Sequence, residues 1–152
     1  NAEGTVYSSM PLSYRGEIID NFSLTFQNGR VVKVHAETNE SLLKEMVNMD
    51  EGAAKLGECA FVPYDSPIRN SGIMFYETLF DENAACHLAL GEGFTNTVKN
   101  YSQYTKEQLH SMGVNDSTIH VDFMIGTKDL TVTGIKENGE QFPIFINGNW
   151  AF

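Results

Sequence analysis

Glu17-Ile18-Ile19-Asp20-Asn21-Phe22-Ser23-Leu24-Thr25-Phe26-Gln27-Asn28-Gly29-Arg30-Val31-Val32-Lys33-Val34-His35-Ala36 is the stretch on which the fold turns. Ile19, Phe22, Leu24 and Phe26 offer one apolar face, and Val31 to Ala36 returns as a second apolar run. Asn28-Gly29 sits between the two. A two-residue hairpin loop needs positive φ at both central positions, which Asn-Gly supplies at little steric cost. The stretch therefore predicts an antiparallel β-hairpin.

Working outward from it, Thr5 to Tyr14 is rich in β-branched and aromatic residues, and Pro11 either ends that strand or confines it to an edge. Downstream, Leu42, Leu43, Met46 and Val47 recur at helical spacing, with Thr38 or Asn39 available as the cap. A short strand follows at Glu58 to Val62, and Pro63 and Pro67 bracket a loop. Glu82 to Leu90 reads as a helix stopped by Gly91. Thr105 to Met112 reads as a short helix with a capping box, Thr105 with Gln108. Three strands finish the chain, at Ile119–Ile125, Leu130–Ile135 and Gln141–Ile146, with turn residues between them. Strands and helices do not alternate regularly, which argues against a parallel doubly wound sheet. The expected class is α+β, mainly antiparallel β-sheet with a few short helices.

With 152 residues the chain has the size of one domain, able to bury roughly 70% of its unfolded surface. Its net charge of −10 would repel a phosphate backbone, so nucleic acid is not an expected partner. No apolar run approaches the roughly 20 residues of a bilayer span, and no signal peptide opens the chain; no membrane partner is expected. Two cysteines, Cys59 and Cys86, are too few for a disulfide framework and point to reduced thiols and a cytoplasmic protein. Asn1-Ala2 reads as the remnant of a cleaved tag. On that reading residues 3–152 are one domain from a longer chain, running to its natural end.

Carboxylates and histidines carry the candidate chemistry. His120 and Asp122 are two apart in a strand and so project from one face. Phe123, Met124 and Ile125 follow, so the strand looks buried, and a buried carboxylate needs a partner. Glu82 and His87 flank the start of the predicted helix, where Glu82 also complements the helix dipole. Glu58 opens an apolar strand, a costly place for an unpaired charge. Oxygen and imidazole donors together are the ligand set for zinc, cobalt or manganese. Taken singly, each has a bland alternative: a solvated His-Asp pair, a first-turn glutamate, a satisfied core histidine. Cys86-His87 as a nucleophile and base is disfavoured, because helix neighbours point about 100° apart. No phosphate-binding glycine loop, nucleophile elbow or His-Glu-x-x-His motif is present; Gly91-Glu92-Gly93 lacks the third glycine of a dinucleotide fingerprint.

Several words occur in order along the chain: Ile19-Asp20-Asn21-Phe22, Asp50 to Glu58 (DEGAAKLGE), Ser66-Pro67-Ile68, Leu79 to Gly91 (LFDENAACHLALG), Ile119 to Gly126 (IHVDFMIG) and Asn147-Gly148-Asn149-Trp150. In these the chain resembles the C-terminal part of the aminopeptidase S / aminopeptidase T family of thermophilic-type metallo-aminopeptidases. The resemblance implies the C-terminal domain of a two-domain cytoplasmic enzyme, a homodimer. Such an enzyme removes N-terminal residues from peptides with a free N-terminus, using a water activated by two divalent metal ions (zinc, cobalt, manganese or magnesium). It carries the metal-ligand role onto Glu58, Glu82, His87, His120 and Asp122, with Glu58 shared by both ions.

Two departures accompany it. A further ligand glutamate of the family, in an Asn-x-Pro-x-Gly-Glu motif, lies upstream of this chain. The family's tyrosine seven residues after the histidine is Phe94 here, with Tyr101 and Tyr104 nearby in sequence. The chain by itself is therefore expected to bind metal weakly and to be inactive. The alternatives are a non-catalytic dimerisation or interaction module that keeps the family fold, and a cysteine hydrolase using Cys86. Retention of all five candidate ligands argues against the former.

Overall fold

The predicted hairpin is present in the computed structural model, which describes residues 1–152. Two short strands come first, β1 (Gly4–Tyr7) and β2 (Leu12–Tyr14), with Pro11 in the break between them. They are followed by β3 (Glu17–Gln27) and β4 (Arg30–Thr38). Asn28 and Gly29 take φ of 52° and 81°, the two positive values the turn requires. β3 is long enough to serve two neighbours on one edge: its C-terminal half pairs with β1 (Val6↔Leu24) and its N-terminal half with β2 (Leu12↔Ile19). β4 takes the other edge, giving a four-stranded antiparallel sheet. Asn21, at φ 48°, switches the inward positions from odd to even, so Ile19 and then Phe22, Leu24 and Phe26 all reach the core.

Helix α1 (Glu40–Val47) lays Leu43, Met46 and Val47 onto that sheet. Asn39 occupies its cap position but in the left-handed conformation (φ 57°), and its amide donates to the Ile18 carbonyl instead of capping. Glu40 holds the helix start: its carboxylate accepts from Ala36 N–H and pairs with Lys44 and His35. Lys44 foremost, then Ala36 N–H, lowers the Glu40 carboxyl to about 2.

A second antiparallel sheet consists of β5 (Leu56–Ala60), β6 (His87–Gly91) and β7 (His120–Met124), with β6 in the middle. Leu88, Leu90, Val121 and Phe123 on one face close the core against the first sheet, the Phe22 and Phe123 rings lying 5.6 Å apart. Between β5 and β6 lie two one-turn helices, α2 (Pro67–Asn70) and α3 (Thr78–Asp81), and a 3-10 turn at Glu82–Ala84.

The helix expected over Glu82–Leu90 is therefore wrong. His87 to Gly91 is a strand buried at every position, because it is central in its sheet. An apolar run buried on both faces has no alternation to distinguish it from a buried helix. Cys59 is exposed, because β5 is an edge of its sheet.

Helix α4 (Lys106–Ser111) carries the predicted Thr105–Gln108 capping box. The last three strands, β8 (Val132–Ile135), β9 (Gln141–Ile146) and β10 (Asn149–Trp150), form a third sheet. It is held to the residue that follows β5, Phe61, whose ring stacks on Phe145 and lies tilted against Trp150. No helix is long and apolar enough to cross a membrane.

Asp50 joins the loop after α1 to the loop before β7. Its carboxylate accepts from Thr118 Oγ1 (2.6 Å), Thr118 N–H (2.7 Å), Ser117 Oγ (2.9 Å) and Ala53 N–H (2.8 Å). The Thr118 hydroxyl first, then its N–H, holds the carboxyl well below the ordinary carboxylate range. A depressed folded-state value stabilises the protein fully above the unfolded value of roughly 4 and is lost as pH falls below it. Urea midpoints should therefore drop on acidification from about pH 4, and Asp50→Asn should flatten that limb while lowering the midpoint at neutral pH. Parallel curves for the two proteins would refute this role.

Candidate metal centre

Strand alternation sorts the second sheet into two faces. With Leu88, Leu90, Val121 and Phe123 turned to the core, His87, Ala89, His120 and Asp122 must project from the opposite face. Glu58 reaches that face through a bulge. Leu56 pairs with Leu90, but Glu58 pairs with Ala89, so Gly57 is the extra residue. Unbroken alternation would have set Glu58 opposite Leu88, on the core side; the bulge re-aims it. Glu58, Ala89 and Asp122 then lie in cross-strand register, with Ala89 fully buried as a small floor between the two carboxylates.

Ligand-type atoms of Glu58, His87 and Asp122 all fall within 4.8 Å of one another. Glu58 lies between the two imidazoles: Oε1 is 3.6 Å from His87 Nε2 and Oε2 is 3.3 Å from His120 Nε2. His120 Nε2 is also 3.4 Å from Asp122 Oδ1. The opposite ring nitrogens are committed to carbonyl oxygens, His87 Nδ1 to Ala85 (3.1 Å) and His120 Nδ1 to Glu92 (2.7 Å). A carbonyl only accepts, so both Nδ1 atoms carry the proton, and in the neutral rings both Nε2 lone pairs face the carboxylates.

His87 and Asp122 are 4% exposed, and Asp122 Oδ1 is buried without any hydrogen-bond partner. Acceptors crowded against acceptors at a buried, unpartnered oxygen suit a cation. Histidines oriented by carbonyls through the other nitrogen are the usual support for a bound metal. The donor set, carboxylate oxygen and imidazole nitrogen, fits zinc, cobalt or manganese.

Glu82, on the 3-10 turn, stands apart from the tight group, with no hydrogen bond or ion pair to it. Its carboxyl is pushed up by burial first and then by the charge of Asp122, and more weakly by Glu58, while His87 and His120 pull it down. It thus stands within electrostatic reach of the other four.

The structure also brings in residues that sequence reasoning did not single out. The Glu92 carbonyl orients His120, and Ala89 forms the floor. Of these, only the flanking glycines Gly91 and Gly93 hinted at a tight backbone approach. The Phe94 ring, half exposed, packs on His120 at 4.9 Å between centroids. Tyr101 and Tyr104 are exposed and make no side-chain hydrogen bond to the cluster. Cys86 is excluded as a partner of His87, since strand neighbours face opposite sides. Its Sγ donates to the Val62 carbonyl (3.3 Å), and burial raises the thiol.

Residues 1–150 match the family described as thermophilic metalloprotease (M29). Aminopeptidase AmpS of Bacillus subtilis (strain 168) is 55% identical over 150 residues, which is 99% of this chain and 37% of that protein. Aminopeptidase 2 of Geobacillus stearothermophilus is 51% identical over 98% of this chain and 36% of its own length. The solved structure of wild-type AmpT from Thermus thermophilus superposes with a TM-score of 0.87 at 39% identity, covering 99% of this chain and 36% of that one. The chain spans little more than a third of the length of these relatives.

Proposed function

From the premise that this chain belongs to the thermophilic metalloprotease (M29) family, we propose that it is the metal-holding domain of an aminopeptidase. The whole enzyme removes N-terminal residues from peptides with a free N-terminus. The observation that carries this reading is the buried, unpartnered Asp122 Oδ1, converging with Glu58 and two imidazoles whose Nδ1 atoms are already committed.

Glu58, Glu82, His87, His120 and Asp122 would hold two divalent ions, with Glu58, its two oxygens turned to different histidines, shared between them. Bound there, such ions supply Lewis-acid polarisation of the scissile carbonyl and a water acidic enough to attack it. The chain's own residues set the geometry. Ala85 and Glu92 carbonyls fix the tautomers, and Ala89 leaves room above the floor. The Glu82 carboxyl, pushed up by burial and then by the charge of Asp122, would be drawn back down by a cation in the site. The chain's acidic balance favours approach of a substrate ammonium group. Two ions rather than one, a homodimer and a cytoplasmic location belong to the same proposal, as do weak ion binding and inactivity of this domain on its own.

Chelation of the full-length protein tests the reading. Dialysis against a chelator should lower hydrolysis of an aminoacyl-nitroanilide by about 10³-fold, the loss of several kcal/mol of charge stabilisation. Zinc, cobalt or manganese should restore it, and thiol alkylation should leave it intact. Activity lost to alkylation but not to chelation would establish the cysteine alternative; no activity in any state would favour the interaction module.

A further inference from the structure

Glu92 does its work through its backbone, so whatever fixes that backbone controls His120. The segment Gly91-Glu92-Gly93 crosses the end of β6 as a strap, and each of its N–H groups is taken: Gly91 by the Lys55 carbonyl, Glu92 by Ile119 (2.7 Å) and Gly93 by Asn115 (2.9 Å). The Glu92 carbonyl and the Gly93 N–H belong to one planar peptide group. One edge of that plane accepts from His120 Nδ1, and the other donates to the Asn115 backbone carbonyl.

Asn115 also holds the preceding plane. Its side-chain Nδ2 donates to the Gly91 carbonyl (2.6 Å) and to the Gly52 carbonyl (2.9 Å), and the residue is 8% exposed. Both amide protons are thus used, and both peptide groups flanking Glu92 are tied to one residue that approaches no ligand atom itself.

We propose that Asn115 is a positioning residue for the metal centre: by clamping the planes on either side of Glu92 it aims the carbonyl that sets the tautomer and rotation of His120. This rests on His120 being a metal ligand. Removing the side chain leaves the buried Gly91 carbonyl without its donor and loosens the plane before Glu92, while the Gly52 carbonyl keeps the Lys55 N–H and the Asn115 backbone carbonyl still holds the plane after it. With one of its two flanking planes loose, the Glu92 carbonyl is aimed less firmly at His120 Nδ1, and the ring samples the other tautomer, in which Nε2 bears a proton and cannot ligate.

The test uses the full-length protein and three variants, Asn115→Ala, Asp50→Asn and His120→Ala. Nitrogen-15 NMR of the metal-free protein reads the His120 tautomer, and calorimetric titration with zinc reads affinity. Asn115→Ala should convert a single Nδ1-protonated form into a mixture and weaken zinc about tenfold, the lower end for an outer-shell partner. The kcat should fall and KM hold. Asp50→Asn breaks the neighbouring latch without touching either Glu92 plane and should change neither tautomer nor affinity. A folded Asn115→Ala with wild-type tautomer and affinity overturns the proposal, as does the same loss in Asp50→Asn. Should Asn115→Ala fail to fold, Asn115→Ser, which keeps one donor, should show a smaller loss in the same direction, and wild-type values there overturn the proposal. If His120→Ala binds zinc as wild type does, the metal reading of His120 is what fails; if it loses zinc while Asn115→Ala does not, the clamp alone fails.

Discussion

Replacing Asp122 by Asn in the full-length protein is expected to reduce aminopeptidase turnover by about 10³-fold or more and, without metal, to leave the fold as stable as before or more so. The opposite signs come from one atom. Asp122 Oδ1 is buried and receives no donor, while His120 Nε2, 3.4 Å away, turns a lone pair towards it when neutral. Glu58 and Glu82 add further negative charge, and the raised Glu82 carboxyl registers the repulsion, second only to its own burial. In the metal-free state the carboxylate of Asp122 is therefore a liability, and an amide of the same shape relieves it by about 1 kcal/mol. With a cation bound, the same carboxylate would neutralise it, and its loss would remove a charged ligand. Urea unfolding with and without chelator measures both signs. A variant that keeps its turnover, or that is destabilised by 2 kcal/mol or so without metal, would mean that Asp122 is a structural hydrogen-bonding group and not a ligand.

His120 and Asp122 were legible because a strand with an apolar continuation forces residues two apart onto one face, whatever the rest of the chain does. Asn28-Gly29 was legible for a similar reason: both φ values are demanded locally. His87 lies in a strand where a helix is expected, since Ala84 to Leu90 is apolar but for His87 itself and carries no period. Glu58 could be suspected from its charge at the head of an apolar strand. That it faces the site rather than the core depends on the Gly57 bulge, which only pairing with β6 creates. The Glu92 carbonyl and the Asn115 clamp act through backbone groups that every residue type possesses, so their roles are set by the tertiary arrangement alone. The resemblance to metallo-aminopeptidases named the five side chains; it did not show which carbonyls aim them.

Gly57→Ala is the second large expected effect, because this glycine is where fold and site meet. A Cβ at Gly57 would overlap the Glu92 carbonyl oxygen and lie 2.5 Å from that of Gly91 and 2.6 Å from the Glu92 carbonyl carbon. All three are backbone atoms of the strap, which cannot yield freely while Ile119, Asn115 and Lys55 hold its N–H groups. Gly57 does not have positive φ, so the objection to alanine is contact rather than conformation. Either β5 moves away from β6, or the bulge is lost and Glu58 swings towards the core side beside Leu88, where its charge has no partner. Both routes cost about 2–3 kcal/mol of stability. Both also displace Glu58 from between the histidines, and a misplacement of about 1 Å at a reacting centre costs on the order of 10²-fold in rate. Thermal unfolding, zinc titration and turnover of the variant should fall together. A Gly57→Ala protein with normal metal affinity and reduced stability would separate the bulge from the site. One with both unchanged would mean that the close approach of β5 to the strap does not exist in solution.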